Sequence, residues 1–491
     1  MGALIGEPYW LVRFLLHRGL ALVYLVAFLV AARQFRPLAG EDGLLPLERY
    51  VDRRAFRERP SLFYRLDDDR VVGAAAWIGV ALAIVALLGG PAWLARPYAV
   101  PASMLLWAVL WLLYLSFVNA GQLFYGYGWE SMLLEAGFLA VFLGPSDVAA
   151  PAVVVWLFRW VLFRDMFGAG LIKLRGDECW RDLTCLDAHY ETQPMPNPLS
   201  WFAHHLPDRF HRLETLGNHV VELAVPFLYF APQPVASLAG LATIGFQGWL
   251  MLTGNFSWLN ALTIVLAFST FSDGVLAAVL PIAAPAPAPM PTYLVALSLA
   301  LAVGILVLSV RPALNLLSPG QLMNTAFDPL HLVNTYGAFG RVTETRYELV
   351  LEGTRATVPT EDADWQAYEV PGKPTDPAKR PPQIAPYHHR LGWQLWFAAM
   401  SPSPRRHPWV YRLLEQLLAA DPGTRSLLAT DPFGDVGPTH VRVTRYRYRF
   451  TTPAERAETG DWWHRERVGT YVGPVSHDDL RGPGAPGRRE R

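Results

Sequence analysis

Long stretches of this chain carry almost no polar side chain, and their spacing sets the first expectation about the fold. A run of about 18 apolar residues can cross ~30 Å of hydrocarbon as a helix, which closes its own backbone hydrogen bonds there. Nine segments are read this way: Phe14–Ala32, Val71–Leu88, Val100–Val118, Ser131–Leu143, Ala152–Leu171, Val220–Ala231, Val235–Leu252, Trp258–Leu280 and Tyr293–Val310. Ser131–Leu143 and Val220–Ala231 are short, so eight or nine spans are expected. The first run lacks a small-residue cleavage site and ends on Arg33 and Arg36, which predicts a retained anchor. Residues 33–70 are dense in charge of both signs (Arg53, Arg54, Arg57 and Arg59 beside Asp67, Asp68 and Asp69) and predict a solvated loop. The Ala-Pro alternation from Ala283 to Pro291 predicts a stiff connector.

After Arg311 the pattern changes. Residues 311–491 hold 23 of the 42 Lys+Arg and 20 of the 42 Asp+Glu, more than half of all charges. Arg346–Gly353 reads as a strand, as does Val441–Phe450, which sets Tyr446, Tyr448 and Phe450 on one face and Arg445, Arg447 and Arg449 on the other. Between them Trp409, Leu413, Leu414, Leu417 and Leu418 recur at helical spacing. The expected fold is therefore mainly α. A polytopic transmembrane helical bundle occupies 1–310, a soluble α+β domain containing strands occupies 311–481, and a Gly-, Pro- and Arg-rich tail at 482–491 is expected to be disordered.

Composition agrees. Of 491 residues, 52% are hydrophobic and 17% charged, against about 25% charged in a typical soluble domain. The 42 basic and 42 acidic residues balance, so no field attracts nucleic acid, and membrane lipids are the expected surroundings. Three lysines against 39 arginines, with many Ala and Pro, suggest GC-rich coding and hence a bacterial cell membrane. Two cysteines exclude a disulfide-built scaffold and a multi-thiolate metal site. No GxSxG nucleophile elbow is present, so a hydrolase built on that serine is not expected.

The unusual residues gather between Lys173 and Glu222. Cys179 and Cys185 have the wrong spacing for a CxxC redox motif, leaving a structural disulfide, two buried thiols or a thiol-exchange pair. Five of the 13 histidines fall between His189 and His219, which raises the question of a metal. His219 and Glu222 share a helix face, yet the spacing fits neither an HExxH site nor a di-iron bundle, so no metal is expected. Lys173, the one lysine before residue 311, is expected to anchor at the interface and pair with Asp177 or a lipid phosphate. Among the polar residues in the runs, Glu135 with Arg164 or Arg159 is the expected ion pair.

The motif GDECWRDLTCLDAHYETQPMPNPLSWFAHHLPDRFHRLETLGNHVVELAVPF, from Gly176 to Phe227, resembles the signature of the lipase maturation factors. APYHHRLGWQLWFAAM (385–400) and DWWHRERVGTY (461–471) resemble that family's C-terminal region. The resemblance implies a membrane-embedded maturation factor of the secretory pathway, with client lipases or other secreted proteins as partners and no cofactor. It implies the endoplasmic reticulum membrane if the source is eukaryotic. On this reading the loop residues Cys179, Trp180, Arg181, Asp182, Cys185, His189, Tyr190, Glu191, Gln193, Pro194, Asn197, Asn218, His219 and Glu222 form or shape the client-binding element. Tyr387, His388, Arg390, Trp393, Trp396, Trp462 and Trp463 form a C-terminal platform, with Trp201 and Phe202 as further aromatic anchors. More distantly, Gly170-Leu-Ile-Lys173 followed by Trp180 resembles the bundle of the vitamin-K-dependent carboxylases. That resemblance implies an alternative, an integral-membrane enzyme acting on a quinone- or lipid-like substrate with Lys173 as base.

Overall fold

The computed structural model describes residues 9–51, 56–66, 68–283 and 285–481. The apolar runs are helical. In chain order the main helices are α1 (Trp10–Ala39), α2 (Asp69–Leu88), α3 (Arg96–Ala120), α4 (Gly128–Ala140), α5 (Ala152–Arg175), α6 (Leu186–Thr192), α7 (Ser200–His204), α8 (Asp208–Leu223), α9 (Val235–Thr253), α10 (Leu259–Ala267), α11 (Thr292–Leu308) and α12 (Val310–Leu317). Their limits follow local chemistry. At α2, for example, the Asp68 carboxylate accepts from Arg70 N–H at the start, and Gly89, at φ 79°, caps the end by donating to the Ala86 and Val85 carbonyls.

Polar contacts define two ends of the bundle. At one end Trp10 and Arg13 donate to the carbonyls of Ser146 and Val148, Val12 N–H donates to Asp273, and Ala149 N–H donates to Ala288. At the other, Gln34 donates to the His388 carbonyl, Gln122 to that of Leu45, and Asn255 to those of Pro196 and Pro382. Among the described residues, the long helices run between these ends.

Five of these helices are long and apolar enough to cross a membrane: α1, α2, α3, α9 and the α11–α12 pair, which runs on to Leu317 rather than stopping at Val310. The others depart from uniform spans for physical reasons. Helix α4 has 13 residues and is buried at every position but Phe138, so it faces protein and not lipid. Helix α5 is long but buries Arg159, Arg164, Asp165 and Lys173. Val220–Ala231 is not one helix, since α8 ends at Leu223 and a separate turn at Val225–Leu228 contains Pro226. Trp258–Leu280 breaks into α10, a tighter turn ending at Thr270 and a short helical turn at Asp273–Ala277.

Each buried charge in α5 has its own partner, as desolvation requires. Arg164 pairs with Glu135, which also accepts from Asn334 N–H at 3.1 Å and Tyr336 O–H at 2.6 Å. Arg159 donates instead to the Ser269 and Tyr229 carbonyls, at 2.8 and 3.1 Å. Asp165 accepts from Thr263 at 2.9 Å.

Beyond the bundle lie β1 (Arg346–Thr354), β2 (Gln366–Ala367), α13 (Arg390–Ala399), α14 (Trp409–Leu418), β3 (His440–Phe450) and β4 (Trp463–Val475). The strands form one antiparallel sheet in the order β2-β1-β3-β4, with Tyr347 opposite Arg447 and Phe450 opposite Trp463. Apolar α13 and α14 side chains, including Leu395, Leu413 and Leu417, belong to a core that continues into the bundle through Leu38, Leu44 and Phe124. The tail Gly482–Arg491, and Arg53, Arg54 and Asp67 of the charged loop, lie outside the described residues.

Candidate functional site: a loop locked between bundle and sheet

The loop after α5 starts with a close backbone approach. A Cβ on Gly176 would sit 1.8 Å from the Gly340 carbonyl oxygen, and Asp177 N–H donates to that oxygen at 3.0 Å. The Asp177 carboxylate accepts from Val342 N–H at 2.9 Å. It therefore serves residues 340–342 and is not the partner of Lys173, a correction to the sequence expectation. Lys173 does not reach for the interface either. It is buried, donating to both Glu222 oxygens at 2.6 and 2.8 Å and to Asn218 at 2.9 Å. Asn218 and Glu222 are one α8 turn apart, and Asn218 also donates to Glu222 at 3.0 Å. The Trp180 ring covers the ammonium, 5.0 Å away, and is itself held by its N–H on the Phe339 carbonyl (2.8 Å). His219 meets the Trp180 carbonyl at 2.9 Å.

Cys179 and Cys185 form a disulfide that closes the turn carrying Trp180. Arg181 donates to the Leu174 carbonyl at 3.0 Å, and Asp182 is exposed. His189 packs between Phe256 and Phe339, where burial pushes its pKa down to about 4. A small cavity of ≈ 70 Å³ separates Lys173, His189 and Glu222 from α9 and α10.

The second half of the loop is fixed by the bundle and by the sheet. Tyr190 donates to Glu214, and Gln193 donates to the Thr253 carbonyl at 2.9 Å and to Ser200 at 3.0 Å. The Asn197 side chain accepts from Leu199 and Ser200 N–H, at 2.9 and 3.1 Å. From the sheet, Phe450 N–H donates to the Glu191 carboxylate at 2.9 Å. Arg346, at the start of β1, donates to the carbonyls of Glu191 (2.9 Å), Gln193 and Pro194 (3.3 Å), and its guanidinium lies 5.2 Å from the Trp463 ring. Glu348 pairs with Arg346 and, at 2.6 Å, with Lys373, whose pKa burial lowers to about 8. Sequence reasoning did not single out Arg346, Glu348 or Lys373. The available signal was Arg346 and Glu348 two apart in a strand, which puts both charges on one face.

The C-terminal residues divide into two groups. Arg390 is buried, pairs with Glu130 at 2.8 Å, donates to the Phe124 carbonyl at 2.6 Å and lies over the Tyr125 ring. His388 sits among the rings of Tyr127, Trp129, Trp258 and Trp393, and burial holds it well below the ordinary histidine pKa. The Tyr387 ring lies tilted against that of His389, and Trp396 donates to the Thr192 carbonyl at 3.1 Å. Trp462 and Trp463 belong elsewhere, packed with Trp201, Tyr448 and Phe450. Trp180, Trp201, Trp393, Trp462 and Trp463 are thus buried, and the aromatic surface expected of them falls to Phe202 and Phe397, with apolar Met400 exposed beside Phe397's helix. Histidines 204, 205 and 211 do not converge on a metal-like cluster with Glu222. His205 bonds the Trp201 carbonyl and His211 the Ala203 carbonyl. No group of three His, Cys, Asp or Glu among the described residues has metal-holding geometry.

Residues 11–278, including the whole loop, match the family model described as lipase maturation factor transmembrane domain, and residues 332–473 match lipase maturation factor C-terminal domain. The chain belongs to the lipase maturation factor family. It is 45% identical to lipase maturation factor 1 of Bos taurus and 42% to that of Homo sapiens, over 96% of this chain and 90% and 89% of those proteins. Lipase maturation factor 2 of Gallus gallus is 30% identical over 97% of this chain and 83% of that protein. No solved structure matches the chain. As a family member with five membrane-length apolar helices, it is an integral membrane protein. The bacterial source suggested by composition gains no support from these vertebrate relatives.

Proposed function

We propose that this chain assists the maturation of client lipases, and that the 173–222 loop and the 311–481 domain act as one client-handling platform on the 1–310 bundle. The observation that supports this most directly is that the family match runs through both parts joined by Arg346: the loop in one family region, β1, β3 and most of β4 in the other. The client side is the bundle end that carries the Cys179–Cys185 disulfide, a bond that persists in an oxidising compartment. That is the endoplasmic reticulum lumen for a eukaryotic source. The enzyme reading has no supporting comparison, and Lys173 is engaged by Glu222 and Asn218.

The test is co-expression of the full chain with a dimeric lipase in cells lacking proteins of this family. The expected result is a several-fold rise in secreted lipase activity per lipase molecule, reduced by Arg346→Ala. Unchanged specific activity with the chain correctly inserted would overturn the proposal.

A further inference from the structure

Helix α8 turns its polar residues His211, Thr215, Asn218 and Glu222 inward. Its outer face carries Arg209, Leu213, Leu216 and Val220 at i, i+4, i+7 and i+11, and Leu213 and Val220 are 67% and 51% exposed. The apolar stripe continues through Phe227 and Leu228, beside the exposed Leu238, Leu241 and Leu252 of the membrane-length helix α9. This apolar surface is continuous with that of membrane-length α9, and it is headed by arginines at the disulfide end. Arg209 and Arg212 are exposed and form no ion pair among the described residues. Phe210 lies 6.1 Å from Trp249 of α9 at the same level, as aromatic residues do at a membrane interface.

Two further arginines flank this head. His211 meets the Ala203 carbonyl at 3.0 Å, which sets exposed Phe202 beside the first turn of α8. The guanidiniums of Arg380 and Arg456 lie 5.6 and 5.9 Å from the Phe202 ring, and both stack on Trp462, at 5.1 and 3.6 Å. Ser200 of α7 donates to the Thr253 carbonyl at 2.8 Å, which seats this group on the end of α9. Asp208 is the exposed acid in the first turn of α8. Four arginines and two exposed phenylalanines thus border the apolar stripe.

We propose that this arginine shelf binds the headgroups of anionic phospholipids in the adjoining leaflet, with acyl chains lying along α8 and α9. Guanidinium suits phosphate through paired N–H donors, which exposed Arg209 and Arg212 offer; Arg380 donates from Nε and one Nη to the Pro198 carbonyl, at 3.1 and 2.7 Å, and adds charge and its remaining N–H groups. The adjoining apolar stripe favours a lipid over a soluble anion. The proposal does not rest on the lipase reading.

The test uses the full chain in nanodiscs of phosphatidylcholine with and without phosphatidylglycerol, reading retained lipid by native mass spectrometry. At roughly 1 kcal/mol per interfacial arginine, phosphatidylglycerol should be retained about tenfold or more over phosphatidylcholine. Arg209→Gln with Arg212→Gln, and separately Arg380→Gln with Arg456→Gln, should each cut this preference several-fold, while Arg209→Lys with Arg212→Lys should keep most of it. The Arg209 and Arg212 changes fall on exposed side chains, so folding is not at stake. Equal retention of the two lipids, a preference unmoved by all four Gln changes, or equally tight binding of an acidic peptide in the absence of lipid would each overturn the proposal.

Discussion

Arg390 and Glu130 form an ion pair at 2.8 Å in which neither side chain is exposed, and it joins α13 of the C-terminal part to α4 of the bundle. Removing one partner leaves the other charge buried and uncompensated, which typically costs about 3–5 kcal/mol. Arg390→Met should therefore lower yield and thermal stability in detergent, and should open the 320–390 segment to limited proteolysis. Arg390→Met with Glu130→Leu should recover part of the loss. A single mutant as protease-resistant as the parent would contradict this role.

Lys173→Met is expected to destabilise by a similar amount, because Glu222 would be left buried without its cation. Lys173→Arg must fit a larger head under Trp180, an overpacking that costs about 1–3 kcal/mol. The double variant Lys173→Met, Glu222→Leu separates structure from chemistry. If client maturation recovers with stability, Lys173 is a structural cation; a stable double variant without any activity would show that its charge or proton is used.

Replacing Cys179 and Cys185 by Ser removes a cross-link between residues six apart, worth roughly 2 kcal/mol on the chain-entropy account. The expected outcome is a looser Trp180 turn, seen as faster amide exchange over 176–186, with client maturation reduced but present. Complete loss of maturation with unchanged exchange would point to thiol chemistry.

Burial depresses His189, His204 and His389 to about 4 each, below the unperturbed value near 6.5. Between pH 6.5 and 4 the unfolded chain binds more protons than the folded one, so stability falls as pH falls through that window. The midpoint of thermal unfolding should be flat above pH 7 and lower by at least several degrees at pH 5. His189→Gln, which stays neutral, should flatten that slope. An unchanged slope would remove His189 from the account.

The strands at 346 and 441 and the helix at 409 were legible because their apolar residues recur with a period in the sequence, although β1 is buried at every position but Tyr347. β4 was not, since its run from His464 to Val468 is charged and carries no alternation that a sheet edge would require. Long apolar runs marked the passages of the chain but not their surroundings. Helix α4 and α1 are both apolar, yet only the packing shows that α4 faces protein on nearly every side. The partner of Lys173 was hidden for a related reason. Asp177 is near in sequence, whereas Glu222 becomes near only when α8 lies along α5.

Arg346 follows Pro194 by 152 residues, and it supplies the donors for the carbonyls of 191, 193 and 194. At a synthesis rate of about 5–20 residues per second, the loop waits roughly 8–30 s between its own emergence and the arrival of its clasp. During that interval its carbonyls have only water or other proteins to bond. The Cys179–Cys185 link, complete within one short turn, needs no such wait. The loop is thus fixed in two strokes, an early one that shapes the Trp180 turn and a late one that must wait for β1.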